Sequence, residues 1–319
     1  MDRTTSRTTS PSQAQKISST DWLLVAIPGI IWGASFLFIA EGLKSVAPNG
    51  VTFTRIFVGF LTLALFPAAR KKIDRSAWAG TALLGVLWCA FPLSMFPFAE
   101  RHVSSAVTGM LNGVTPLFVT IVAALIARKV PSKRIVFGVL TGLAGSVLVA
   151  LPSINEGRSS TLGVVLILMA VTSYGFALNL ARPLQQRYGA LPVIWRALGV
   201  AALLTAPLGL REVAAAHWKP EPLLCLLTLG AFGTGIAYVL LTVATGRVGA
   251  TRASAAAFLM PPVSLLLGIV VRGEHVALLS IFGSAVCVAG AWMIRPRAIP
   301  QPQPPRTELV ACPEGAARN

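Results

Sequence analysis

Two arginines stand inside apolar runs, where a charge is costly: Arg55 in "TRIFVG" and Arg196 in "VIWRAL". An arginine at mid-membrane costs about 2.5–3.5 kcal/mol on insertion scales, so each needs compensation. The planar guanidinium is a fork that fits a carboxylate through two parallel hydrogen bonds. One reading places the acidic group of a small solute on one or both. The other lets each side chain snorkel to the nearer interface or bond carbonyls at a helix end. Asn112 and Thr115 lie within a turn of Pro116 and offer polar atoms to a solute or to the carbonyl that the proline frees. Pro116 and Pro261 are expected kinks or hinges. Inside lipid such bends are tolerated only where neighbours or a watery cavity satisfy the backbone.

Aromatic residues recur beside these groups. Laying "WGASF" over "YGFAL" pairs Trp32 with Tyr174, and Ser35 and Asn179 lie within a few residues on the same two runs. Paired aromatics can wall a pocket or simply pack. Tyr238, with Trp88 and Phe91, extends the candidates, with packing as the alternative. The candidate substrate-binding set is therefore Trp32, Ser35, Arg55, Asn112, Thr115, Tyr174, Asn179, Arg196 and Tyr238. Other chemistry finds little support. No Asp or Glu falls in the interior of an apolar run, and Glu100, Glu274, His102 and His275 sit at ends. No H-E-x-x-H, G-x-S-x-G or G-x-x-x-x-G-K-[ST] motif occurs. The four cysteines form no C-x-x-C pair. An enzyme, a metal site and a bound cofactor are not expected.

The elements that must position these residues follow from composition. Of 319 residues 55% are hydrophobic and only 12% charged, about half the charge of an ordinary soluble domain. Apolar runs lie near 22–40, 50–68, 77–98, 103–126, 134–151, 161–180, 190–210, 222–243, 250–271 and 275–294. Each approaches the ~20 residues that span a bilayer core as helix, and their length and lack of alternation exclude strands. The expectation is an all-α polytopic membrane protein of ten transmembrane helices. Residues 1–21 and the proline-rich 295–319 bury too little apolar surface to fold. A net charge of +16 speaks here for membrane orientation, not for nucleic acid. With the amino terminus inside, nineteen Lys and Arg fall on the cytoplasmic side against six outside, so both termini are expected in the cytoplasm.

The chain also repeats. Setting 101–145 on 246–290 pairs Val103 with Val248, Pro116 with Pro261, Phe137 with Phe282, Gly138 with Gly283 and Gly145 with Gly290. Residues 22–151 and 161–294, joined by 152–160, read as two five-helix copies. Five is odd, so the second copy is inverted. Hence "ARKVPSKR" faces the cytoplasm while its counterpart near "RGEHV" faces outward, and Lys129 stands where the second copy has Glu274. Inverted repeats are a signature of secondary transporters, with the substrate near the midplane.

In order along both halves, "WGASF", "TRIFVG", "TPLF" at Thr115–Phe118, "RGEHV" at Arg272–Val276 and the closing runs "GLAGSVLVALP" and "GSAVCVAGAWMI" resemble the EamA family of the drug/metabolite transporter superfamily. The resemblance spans residues 22 to 295. It implies ten helices in two repeats and movement of amino acids or other small metabolites, commonly outward, in the bacterial inner membrane. One departure is Arg128-Lys129, where many relatives carry Gly-Glu; Glu274 keeps that pattern and suits an interfacial cap. Expected partners are a small-molecule substrate and the lipid bilayer, with a homodimer left open. The alternatives are an exporter of cationic or neutral drug-like compounds, an intramembrane enzyme and a non-transporting sensor.

Overall fold

A computed structural model describes residues 19–103, 105–154, 160–272 and 277–294; the tails, Glu274 and His275 lie outside them. Every described element is helical. Lipid cannot satisfy backbone polar groups, and helices satisfy their own. The elements are α1 (Ser19–Gly42), α2 (Pro48–Ala64), α3 (Arg75–Ala99), α4 (Ser105–Asn112), α5 (Thr115–Ala127), α6 (Lys133–Ile154), α7 (Thr161–Tyr188), α8 (Ala190–Ala214), α9 (Pro220–Val248), α10 (Ala250–Val271) and α11 (Leu278–Ile294). Six of them, α1, α3 and α7 to α10, are long and apolar enough to cross a membrane. Single glycines, Gly189 and Gly249, turn the chain between α7 and α8 and between α9 and α10. Their φ of 82° and 89° would strain any residue with a Cβ.

The fourth apolar run departs from expectation. Instead of one span it forms two short helices, α4 and α5, separated at residues 113–114. The cause is local: Pro116 cannot donate to the turn before it, so it occupies the first turn of a new helix, where no donor is needed. Its repeat counterpart α10 stays continuous but tightens to a 3-10 helix over Ser254–Leu259, just before Pro261. The third helices of the two halves share another irregularity. Both α3 and α9 widen to π-helix, over Gly85–Ala90 and Leu229–Ile236.

The halves interlock by exchanging partners. Helix α1 lies against α9 and α10, and its counterpart α7 lies against α3 and α5; α2 pairs with α8 and α6 with α11. The α2–α8 pair is tied at both ends. At one, Glu212 accepts from Asn49 Nδ2 at 2.6 Å and from the Gly50 amide at 2.8 Å. At the other, Arg196 Nη1 donates to the Ala69 carbonyl at 3.2 Å. Hydrogen bonds to a charged group contribute about 1.5–3 kcal/mol. Glu212→Ala should therefore lower the melting temperature, read by a thiol-reactive dye reaching the buried Cys89 and Cys287. An unchanged melt would mean that this end of the pair carries no strain-bearing tie.

Candidate functional site

Between the exchanged helices lies a narrow cavity of about 40 Å³. Seven of the nine candidate residues line it: Trp32, Ser35, Arg55, Asn112, Thr115, Tyr174 and Tyr238. Arg55 projects from α2 and is 3% exposed. Its Nε donates to Thr234 Oγ1 at 3.1 Å, and that hydroxyl donates to the Leu229 carbonyl five residues back at 3.3 Å. The π segment thus supplies the seat: its wider turn lets Thr234 serve the helix and the arginine together. Among the described residues no carboxylate comes within ion-pair distance of Arg55. Glu100, at the end of α3, acts on it only from further away. The described cavity lining contains no Asp or Glu.

The walls are rings. Trp32 meets Tyr238 edge-on at 5.5 Å, and Tyr238 tilts against Trp88 at 4.8 Å. On the facing side Phe96 contacts Phe36 at 5.8 Å and Tyr174 at 6.0 Å. Two hydrogen bonds hold the first group rigid. Trp32 Nε1 donates to the Gly233 carbonyl at 2.7 Å, and the Tyr238 hydroxyl donates to the Trp88 carbonyl at 3.2 Å. Ser35 is occupied by the Ile31 carbonyl one turn back. Across the cavity Thr115 Oγ1 donates to Asn112 Oδ1 at 2.8 Å, while among the described residues Asn112 Nδ2 meets only the Met260 sulfur, a weak acceptor, at 3.5 Å. That amide is the second polar donor with capacity to spare.

Two candidates lie elsewhere. Asn179 Nδ2 is spent on the carbonyls of Val119 and Gly175, at 3.1 and 2.8 Å, and staples α7 to α5. Arg196 faces outward. Its Nη1 bonds Ala69 and Pro192 carbonyls, and its guanidinium lies 5.8 Å from the Trp78 ring and 5.4 Å from that of Trp195. The helix-end alternative is the one realised. Packing shows why: an added Cβ on Gly230 would meet the Arg55 carbonyl, as one on Gly85 would meet that of Ala197. Ala197, not Arg196, is thus the counterpart of Arg55, and one residue is about 100° of helix. Residues that line or support the cavity without having been singled out are Phe36, Phe96, Ser254, Met260 and Thr234. The run "GAFGTGIAY", with one aliphatic hydroxyl among three glycines and two aromatics, was the available signal for Thr234.

Known proteins share this architecture. A model of the EamA-like transporter family matches residues 21–151 and 161–295. A Streptantibioticus cattleyicolor protein named "Probable terminal-alkyne amino-acid exporter" is 25% identical over 289 residues, covering 89% of this chain and 96% of that one. The "Uncharacterized inner membrane transporter YedA" of Escherichia coli is 27% identical over 254 residues, covering 77% and 80%. A solved crystal structure superimposes with a TM-score of 0.66 at 17% identity, over 87% of this chain and 96% of that one. It shows a shared fold.

Proposed function

The chain belongs to the EamA-like transporter family, and on that premise we propose that it moves small carboxylate-bearing metabolites, amino acids or related compounds, outward by alternating access. The observation that carries this reading is Arg55: a buried guanidinium that, among the described residues, lines a cavity without Asp or Glu and donates one hydrogen bond, to Thr234, and none to a carboxylate. A solute carboxylate would accept from its remaining N–H donors through the bidentate geometry that guanidinium favours. The apolar body of the solute would lie among Trp32, Trp88 and Tyr238, and Asn112 would take a second polar group. The name of the Streptantibioticus relative supports both the substrate class and the outward direction. In this reading ten spans form two inverted repeats with both termini in the cytoplasm, as the Lys and Arg bias favours. The break at 113–114 and the 3-10 stretch at 254–259 flank the cavity and are where the two halves would flex.

The aromatic walls support a second reading, export of neutral or cationic drug-like compounds; Arg55 weighs against the cationic kind. Proteoliposomes loaded with amino acids, organic acids, their methyl esters and amines separate the two. Free carboxylates should leave and their esters should be retained. Efflux of esters and amines at the rate of the acids would sink the carboxylate reading. A pH gradient across the same vesicles reads coupling: unaltered rates support facilitated movement or exchange over proton coupling.

A further inference from the structure

A second concavity lies on the outer face, between α2 and α8. It is an open groove of about 680 Å³. One wall carries Phe57 and Phe60, and the other runs along α8 from Arg196 to Leu210. Phe60 stacks on Trp195 at 5.3 Å with the planes 9° apart, so the floor is flat and stiff. Leu203 on the rim is 77% exposed. The fourteen residue steps from Arg196 to Leu210 are roughly 21 Å of helix, longer than the ~15 Å of one leaflet's hydrocarbon.

Arg196 closes one end. Its Nη1 is fixed by two carbonyls, and its guanidinium lies 5.8 Å from the Trp78 ring and 5.4 Å from the Trp195 ring. Among the described residues its Nε and Nη2 meet no protein acceptor. The Ala69 carbonyl that anchors it opens a loop carrying Arg70, Lys71 and Lys72, with Arg75 at the start of α3 beyond it, all exposed. The loop's one acid, Asp74, is taken by Arg187 at 2.9 Å. A long apolar trough ending in an oriented guanidinium beside excess positive charge matches a phosphate joined to an acyl chain. We propose that this groove is a binding site for an anionic phospholipid, with its phosphate on Arg196 and a chain along α8. In the orientation proposed above, the lipid belongs to the cytoplasmic leaflet, where anionic headgroups meet basic segments.

Trp78 and Trp195 are built-in reporters. The protein is placed in vesicles containing phosphatidylglycerol or phosphatidylcholine brominated on the acyl chain, at equal mole fraction. The difference in quenching between wild type and Trp78→Phe/Trp195→Phe isolates the groove. Brominated phosphatidylglycerol should be preferred by about fivefold, the ratio one charge supplies near such a surface. Arg196→Gln should remove the preference and keep quenching by phosphatidylcholine. Equal quenching of wild type by the two lipids would overturn the site without recourse to any variant. So would an undiminished preference in Arg196→Gln, or displacement of the lipid by inorganic phosphate alone. None of these readings requires transport, so they stand apart from the fate of the cavity proposal.

Discussion

Arg55→Gln lowers the efflux of carboxylate-bearing solutes by about 10- to 150-fold, the range that a hydrogen bond to a charged group supplies, and leaves the protein folded. The two halves of that expectation come from one fact. Arg55 is 3% exposed and, among the described residues, donates to a single protein acceptor, the Thr234 hydroxyl. A buried ion so sparsely paired contributes nothing certain to stability, because desolvation of the charge opposes it. Glutamine keeps a donor for Thr234 and removes the charge, so the melting temperature should hold or rise. Arg55→Lys keeps the charge and loses the planar fork, and its efflux should fall between the two. Rates are measured in proteoliposomes alongside melting of the same preparations. Wild-type efflux by Arg55→Gln would assign the arginine to structure. A large fall in melting temperature with the same loss of efflux would do so as well.

The sequence showed Arg55, Trp32, Tyr174 and the repeat because each depends only on residue type and spacing. A charge in an apolar run is visible whatever surrounds it, and two copies of a helix reveal each other by alignment. Arg196 shows the boundary of that reasoning. Depth in the membrane can be counted from the start of a run, but facing direction changes by about 100° per residue. The one-residue offset between Arg196 and Ala197 was therefore enough to turn the side chain from the cavity to the outer face. Asn179 lies outside the cavity lining for a different reason: carbonyls within reach on α5 and α7 take its donor. Thr234 became an Arg55 partner through a π-helical register that no periodic pattern announces. Phe36 and Phe96 read as ordinary membrane phenylalanines until the exchange of helices brought them together. The division of the fourth run was half legible: Pro116 announced a disturbance but not that α4 and α5 would separate completely.

The pairing of α6 with α11 gives the other large expected effect. An added Cβ on Gly290 would strike the Gly142 backbone amide and Cα, and one on Gly145 would strike the Cys287 amide. These are backbone obstacles, so no rotamer change relieves them and the helices must part. Small residues that allow such approach are a recurrent means of association in lipid, where no hydrophobic force drives helices together. Parting them would also loosen Ser280 from the Val149 carbonyl, 3.1 Å away. Gly290→Ala should therefore destabilise by about 1–3 kcal/mol, the range for overpacking. Gly80→Ala supplies the opposite sign. A Cβ there meets nothing nearer than the Leu184 side chain at 3.6 Å, and removing a helical glycine's backbone freedom stabilises by roughly 0.5–1 kcal/mol. Dye labelling of Cys287, which is fully buried on α11, follows the opening of this contact directly on heating. If Gly290→Ala melts with or above Gly80→Ala, the two helices are not in backbone contact and the joint between the halves must be sought elsewhere. If it melts well below, with Cys287 labelled early, the closing glycine runs hold the two repeats together.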